Sequence, residues 1–202
     1  MTDSSSDTPI LTDDFALRAA EAVGGIIEPA VDTIKVSVPR ERWVAAITTA
    51  RDELGLIFFS WLSAVDWANE VTVGDPLSEP VEERFEVMCT VGDLVEGRRV
   101  TFSTTLPKDD AVIDTLVGVY VGANWHEREC YEMFGIDFHG HPDLENLYLP
   151  DAFVGNPLLK SFRLLSREVK PWPGKVDVEG MPGADDDGEE ASDGPSTTNP
   201  EA

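Results

Sequence analysis

The sequence predicts an α+β fold: a two-layer sandwich of a mixed β-sheet with its helices on one face, followed by an extended C-terminal arm and a disordered acidic tail. Three observations carry this. Apolar spacing of helical period alternates with spacing of period two over residues 14–64. Two strand-like runs then follow, joined by turn residues as in an antiparallel hairpin. Beyond residue 136 periodicity gives way to single apolar residues punctuated by Gly and Pro. Strands and hairpins with helices between them are the pattern of one sheet under helices.

Each element has its own reason. Residues 1–12 are rich in acids and serines without periodicity and read as a disordered N-terminus. Asp13 or Asp14 caps a helix to about Val23 with Phe15, Ala19, Ala22 and Val23 on one face, stopped by Gly24 and Gly25. Thr33–Val38 alternates as a half-buried strand, and Pro39 ends it. Arg40–Leu54 places Trp43, Val44, Ile47, Ala50 and Leu54 at helical spacing. Leu56–Ala64 reads as a buried strand, 69–82 as a loop, and Phe85–Val91 with Arg98–Thr104 as a hairpin through residues 92–97. Residues 124–135 form a helix, with Asn124 and Glu127 at capping-box spacing and Gly135 at the left-handed terminus. The α+β domain therefore covers 13–136.

Residues 137–175 read as an extended, partner-wrapping arm. Pro142, Pro150 and Pro157 stiffen it, while Phe138, Leu144, Leu147, Leu149, Phe153, Leu158 and Phe162 supply apolar anchors too widely spaced to form a core. Its end, 156–175, is basic, with Lys160, Arg163, Arg167, Lys170 and Lys175 against Glu168 alone. Residues 176–202 hold nine acids and no base among Gly, Pro, Ser and Thr, and read as a disordered tail.

Composition excludes several functions. The chain has 202 residues, with 39 Asp and Glu against 15 Lys and Arg and a formal charge of −24. Such acidity argues against nucleic acid, whose phosphates need a basic footprint, and against an electrostatic hold on anionic lipid. Cys89 and Cys130 are too few for a disulfide framework, which suits a reducing compartment. The N-terminus lacks the pattern of a secretory signal. The most apolar run, Leu54–Val65, is too short to span a membrane, so any membrane attachment is expected through another chain.

The 124–135 helix concentrates the titratable groups. His126, Cys130, Met133 and Phe134 share one arc, and Trp125, Arg128, Glu129 and Glu132 the opposite one. The charged arc reads as solvated or facing an interface, with Arg128 and Glu132 spaced to pair. A standalone acid–base enzyme using Glu129 or Glu132 with His126 is the competing reading. A metal held by His126, Cys130, His139 and His141 is weaker, because structural zinc sites favour close ligand pairs from loops. No HExxH, CxxC, phosphate loop, dinucleotide fingerprint or nucleophile elbow occurs. No catalytic, cofactor-binding or metal-ligating residue is therefore assigned.

Glu127-Arg128-Glu129, Phe134-Gly135-Ile136, His141-Pro142-Asp143-Leu144 and Gly155-x-Pro157-Leu158-x-Lys160 fall in the order and spacing of one family's signature. Over roughly residues 15–165 the chain resembles the 30-kDa subunit (the C-subunit) of respiratory complex I, the proton-pumping NADH:quinone oxidoreductase. The resemblance implies a two-layer α+β domain with a C-terminal arm and no redox centre; FMN, iron–sulfur clusters and quinone belong to the complex. It implies a non-catalytic scaffold in the peripheral arm, docked on the hydrogenase-like subunit near the quinone site and beside the cluster-bearing subunit. Its location would be peripheral, on the cytoplasmic side of the plasma membrane. Glu127, Arg128, Glu129, Glu132, Phe134, Gly135, His141, Pro142, Leu144, Gly155, Pro157, Leu158 and Lys160 would be the fold and interface residues. The pattern departs at Glu132, where Asp is usual, at Asn146 and Asn156, and at Leu159-Lys160-Ser161 in place of Arg-Lys-Asp. A related position in a membrane-bound hydrogenase or a ferredoxin-fed relative is the alternative within the same family.

Overall fold

Helix α1, Asp14–Val23, begins with an acid in its first turn and buries Phe15, Ala16, Ala19, Ala20 and Val23. Ala16 and Ala20 join the apolar stripe, whereas Ala22 lies only half-buried, because the helix is rotated slightly from the expected face. The computed structural model describes residues 14–163 apart from 31–32, 73–74 and 76. These residues belong to one unit, Met1–Ser166. The N-terminal segment 1–12, the arm past 163 and the tail 176–202 lie outside the described residues.

Strands β1 (Ile26–Glu28) and β2 (Ile34–Ser37) pair antiparallel. A 3₁₀ turn, Arg40–Arg42, leads into α2 (Trp43–Asp52), which buries Trp43, Ala46, Ile47 and Ala50. Then come β3 (Phe58–Trp67), β4 (Arg84–Gly92) and β5 (Arg99–Pro107). The sheet order is β1-β2-β5-β4-β3, with β2 and β5 parallel and the other neighbours antiparallel, so the sheet is mixed.

Register decides which face is core. Val36 stands opposite Phe102, Phe102 opposite Cys89 and Cys89 opposite Leu62, so these side chains point the same way. With Val87, Val91, Val100 and Leu106 they form the layer under Trp43, Ile47 and Phe134. Completely buried side chains of this size contribute roughly 1.5–3 kcal/mol each. The opposite face is polar: Thr90 and Thr101 hydrogen-bond at 2.7 Å, and Glu86 accepts from Lys35 at 2.5 Å and Trp67 at 2.8 Å. Burial alone would raise the Glu86 carboxyl, but the Lys35 and Trp67 donors outweigh it and hold it below its ordinary value.

Three expectations need correction. The helix predicted from Arg40 to Leu54 is wound as 3₁₀ in its first turn and ends at Asp52. The predicted buried strand starts later, at Phe58, and runs on to Trp67 as the edge of the sheet, with Phe58 exposed and Asp66 buried. Aromatic content marks a strand without telling an edge from a centre. Finally, β6 (Val112–Asp114) and β7 (Asp137–His139) form a small parallel sheet, with Ile113 opposite Phe138. Strand pairing thus extends past residue 136, because Ile136 and Phe138 are both buried in the core.

Candidate functional site

The helix between β6 and β7 is α3, Ala123–Phe134, and it closes on Gly135 at φ 75°, in the left-handed region that suits glycine. Its start differs from the expected capping box. The helix begins at Ala123, and Glu127 does not reach back to Asn124. Its carboxylate points inward, where Oε1 accepts the Leu116 N–H at 2.6 Å and Oε2 accepts the Thr115 hydroxyl. The side chain is completely buried. Burial pushes the Glu127 carboxyl up to about 7, against the opposing effect of those two donors.

Within the charged arc Trp125 is exposed and Arg128 and Glu129 are half-buried, whereas Glu132 is covered. Glu132 is 3% exposed. It accepts backbone N–H groups from Leu147 at 3.2 Å, Tyr148 at 3.0 Å and Leu149. Arg128, expected to pair with Glu132, instead donates to the carbonyls of Glu145 at 3.0 Å and Asn146 at 3.1 Å. One turn of α3 therefore grips five consecutive residues of the following segment, the base on its carbonyls and the acid on its amides. Glu129 stays partly exposed.

The rest of that segment is a strap along the same domain up to residue 163. His141 accepts the Asp143 N–H on Nδ1 at 3.0 Å, and its Nε2 lies 3.2 Å from the Asn124 carbonyl. Pro142 is exposed beside it, and Leu144 packs partly buried on the core. Asn156 donates to the Glu132 carbonyl at 2.9 Å, and the Leu158 N–H to Met133 at 3.0 Å, so the strap caps the free carbonyls at the end of α3. Gly155 and Pro157 carry the chain past, and Phe153 stacks on Phe162 with centroids 6.0 Å apart. At the far end the Lys160 N–H donates to Asp66 at 3.0 Å, and Lys160 O accepts from the Thr72 N–H at 2.8 Å. Lys108 pairs with the other oxygen of that buried Asp66. Phe134 is buried edge-on against Phe85, centroids 6.5 Å apart.

Glu132 and His126 line different clefts, and the candidate metal ligands are not gathered among the described residues. His126 faces the Leu62 backbone and the ring of Phe59 and lines a surface cleft with Val121 and Trp125. Glu132 lies in a different open cleft of about 270 Å³ with Tyr131, Asn146 and Phe153. Cys130 is buried and its thiol pushed upward by burial, while exposed His139 pairs with Asp114 at 2.9 Å. Among the described residues no group of three His, Cys, Asp or Glu is placed to hold a metal ion.

What the arrangement does is fix a backbone. Once fixed, the strap turns Tyr148, Phe153, Val154 and Leu158 to solvent, each at least 38% exposed. The residues missed from sequence are the partners in these contacts: Thr115, Leu116 and Thr72 as donors, Asp66 as an acceptor, and Asn156 as a helix cap. Asp66 lies 94 positions from Lys160, and no local pattern carries information over that span.

Fold and site together define a class: an α+β subunit domain of respiratory NADH dehydrogenases, for residues 36–168 match the family described as "Respiratory-chain NADH dehydrogenase, 30 Kd subunit". The chain belongs to this 30-kDa subunit family. It is 31% identical over 143 residues to the C-subunit of the NADH-quinone oxidoreductase of Citrifermentans bemidjiense, covering 71% of this chain and 82% of that one. Against the corresponding C-subunit of Mycolicibacterium gilvum the identity is 34% over 160 residues, covering 75% and 67%. Against that of Rhodobacter capsulatus it is 35% over 156 residues, covering 75% and 72%. Among solved structures, the trypsin-resistant fragment (1–134) of Nqo5 superposes with a TM-score of 0.51 at 30% identity, over 63% of this chain and 96% of the fragment. A chain of the membrane-bound sulfane sulfur reductase, an archaeal respiratory membrane complex, shares the fold at 19% identity and a TM-score of 0.54, over 67% and 75%. The family is a subunit of NADH-quinone oxidoreductase, an enzyme complex of electron transport. Among the described residues no helix is long and apolar enough to cross a membrane.

Proposed function

We propose that this chain is a structural subunit in the peripheral arm of a complex-I-type proton-translocating NADH:quinone oxidoreductase. In this reading it docks on the hydrogenase-like subunit near the quinone site, contacts the cluster-bearing subunit, and holds no redox centre itself. FMN, iron–sulfur clusters and quinone belong to the other subunits. The chain is peripheral, on the cytoplasmic side of the plasma membrane, attached through the complex. The observation that carries the reading is the strap: Arg128 and Glu132 hold its backbone and leave Tyr148, Phe153 and Leu158 facing outward. Preset apolar anchors on a fixed backbone lower the ordering cost of binding a partner. The contribution to the reaction is positional, since a displacement of about 1 Å near a reacting centre costs on the order of 100-fold in rate.

The test is extraction of membranes in mild detergent, capture of a tagged copy of the full chain, and identification of what accompanies it by mass spectrometry. The hydrogenase-like and cluster-bearing subunits are expected; recovery of the chain alone in the soluble fraction overturns the reading. The family resemblance of the four motifs gives a second reading, a place in a membrane-bound hydrogenase or a ferredoxin-fed relative. A flavin-bearing NADH-input subunit in the captured set separates the two.

A further inference from the structure

The last turn of α3 and the strap enclose the open cleft of about 270 Å³. That is below the roughly 300–1,000 Å³ of small-molecule sites and gives room for one long side chain. Its lining contains one acid, Glu132, and no base. Both oxygens of Glu132 accept amide N–H groups, Oε1 from Tyr148 and Leu149 and Oε2 from Leu147 and Tyr148, which is the bonding of a carboxylate anion. These amides fill its lone pairs without cancelling its charge. The nearby base Arg128 is committed to the carbonyls of Glu145 and Asn146. Among the described residues no cation pairs with Glu132.

We infer that this cleft is a socket for one arginine side chain of the hydrogenase-like subunit, an inference that rests on the docking proposed above. Three features of the cleft favour a cation. The anion of Glu132 stands in its wall, and the carbonyl end of α3, whose dipole is negative, closes on the lining residues Gly135 and Asn156. The rings of Tyr131 and Phe153 line it too, and Phe153 is backed by Phe162. A guanidinium is planar, weakly hydrated and able to stack on such a ring, whereas an ammonium holds its water more tightly. The side-chain carbonyl of Asn146, also in the lining, is an acceptor for it. An acidic guest would be repelled, and an apolar one would cover the charge of Glu132 without answering it. Tyr148 and Val154 adjoin the lining residues Leu149 and Phe153 in sequence and are exposed. A partner that covers them dries the cleft and strengthens the attraction inside it.

The experiment changes the sign of charge at residue 146, which is exposed and whose side chain makes no hydrogen bond among the described residues. Tagged full-length wild type, Asn146→Lys and Asn146→Asp are captured from membranes in mild detergent. Asn146→Lys is expected to recover the hydrogenase-like subunit at least about tenfold less than the wild type, and Asn146→Asp at least as much. Equal recovery by the two variants overturns the socket, as does a greater loss with Asp than with Lys. A wild-type chain recovered alone overturns the docking reading and the inference with it, so the two failures are distinct. If a variant melts below the wild type, p-benzoylphenylalanine in place of Phe153 decides by photo-cross-linking in the assembled complex. A cross-link at or beside an arginine of the hydrogenase-like subunit supports the socket. A cross-link within this chain, or to a segment without arginine, overturns it.

Discussion

Glu127 and Glu132 are two carboxylates on one helix with opposite thermodynamic consequences. The Glu127 carboxyl titrates near 7 in the folded chain against 4.5 for an ordinary glutamate. Between those values the folded state keeps a proton that the unfolded state has lost, so stability falls as pH rises. The contribution is complete below about 4.5 and gone above about 7, a span on the order of 3 kcal/mol. Glu127→Gln keeps an acceptor for the Leu116 N–H and removes the charge. Urea unfolding at about pH 5 and about pH 8 should therefore show the wild type losing stability relative to the variant. Parallel pH profiles for the two proteins would refute this. Glu132 acts the other way, as a charged acceptor for three strap amides. Glu132→Ala leaves those amides without a partner, a local cost of about 2–3 kcal/mol. Proteolysis within 147–154 should then accelerate about 30-fold or more while the melting of the sheet stays cooperative. Unchanged cleavage would show that the strap is held by something else.

At the scale of elements, α3 depends on where it stops. Gly135 has φ 75°, and a Cβ there meets Asn156 Oδ1 at 3.1 Å. Gly135→Ala combines left-handed strain with pressure on the cap, costing about 1–2 kcal/mol and lowering Tm by about 2–8 °C. A melting curve identical to wild type would mean that the strap yields freely at this point. The terminus was legible from sequence because a left-handed glycine after an amphipathic run is a local signal. The hairpin of β4 and β5 and the face of α2 were legible for the same reason. The three-residue strands β1, β6 and β7 were not, since so short a run has no period to detect. The inward turn of Glu127 and Glu132 was hidden differently. A wheel assigns faces to a helix as though one side must be wet, and here the 115–116 backbone receives Glu127 while the strap covers Glu132. The spacing of Glu132 with Arg128 suggested a pair within the helix, but the backbone of the strap gives both of these groups their partners instead.

For the whole molecule, the strap and the acidic tail predict different behaviour on assembly. The chain carries −24 charges, and the nine acids beyond residue 175 hold more than a third of them. If attraction of net charge held the partner, removing 177–202 would weaken capture and salt would mimic the deletion. If the strap holds the partner, the determinants are the apolar side chains fixed outward by α3, chiefly Tyr148 at 64% exposure and Leu158 at 50%. Such groups cost little to change in the free chain, because they are already in water, and much in a complex that buries them. Tyr148→Asp with Leu158→Asp is therefore expected to melt like the wild type and to recover at least about 30-fold less of the hydrogenase-like subunit from membrane extracts, the loss of about 2 kcal/mol typical of a central interface residue. Deletion of 177–202 is expected to leave recovery unchanged. The reverse pattern, with the strap variant capturing normally and the deletion failing, would move the docking surface to the tail and leave the grip of α3 as a device for the chain's own stability.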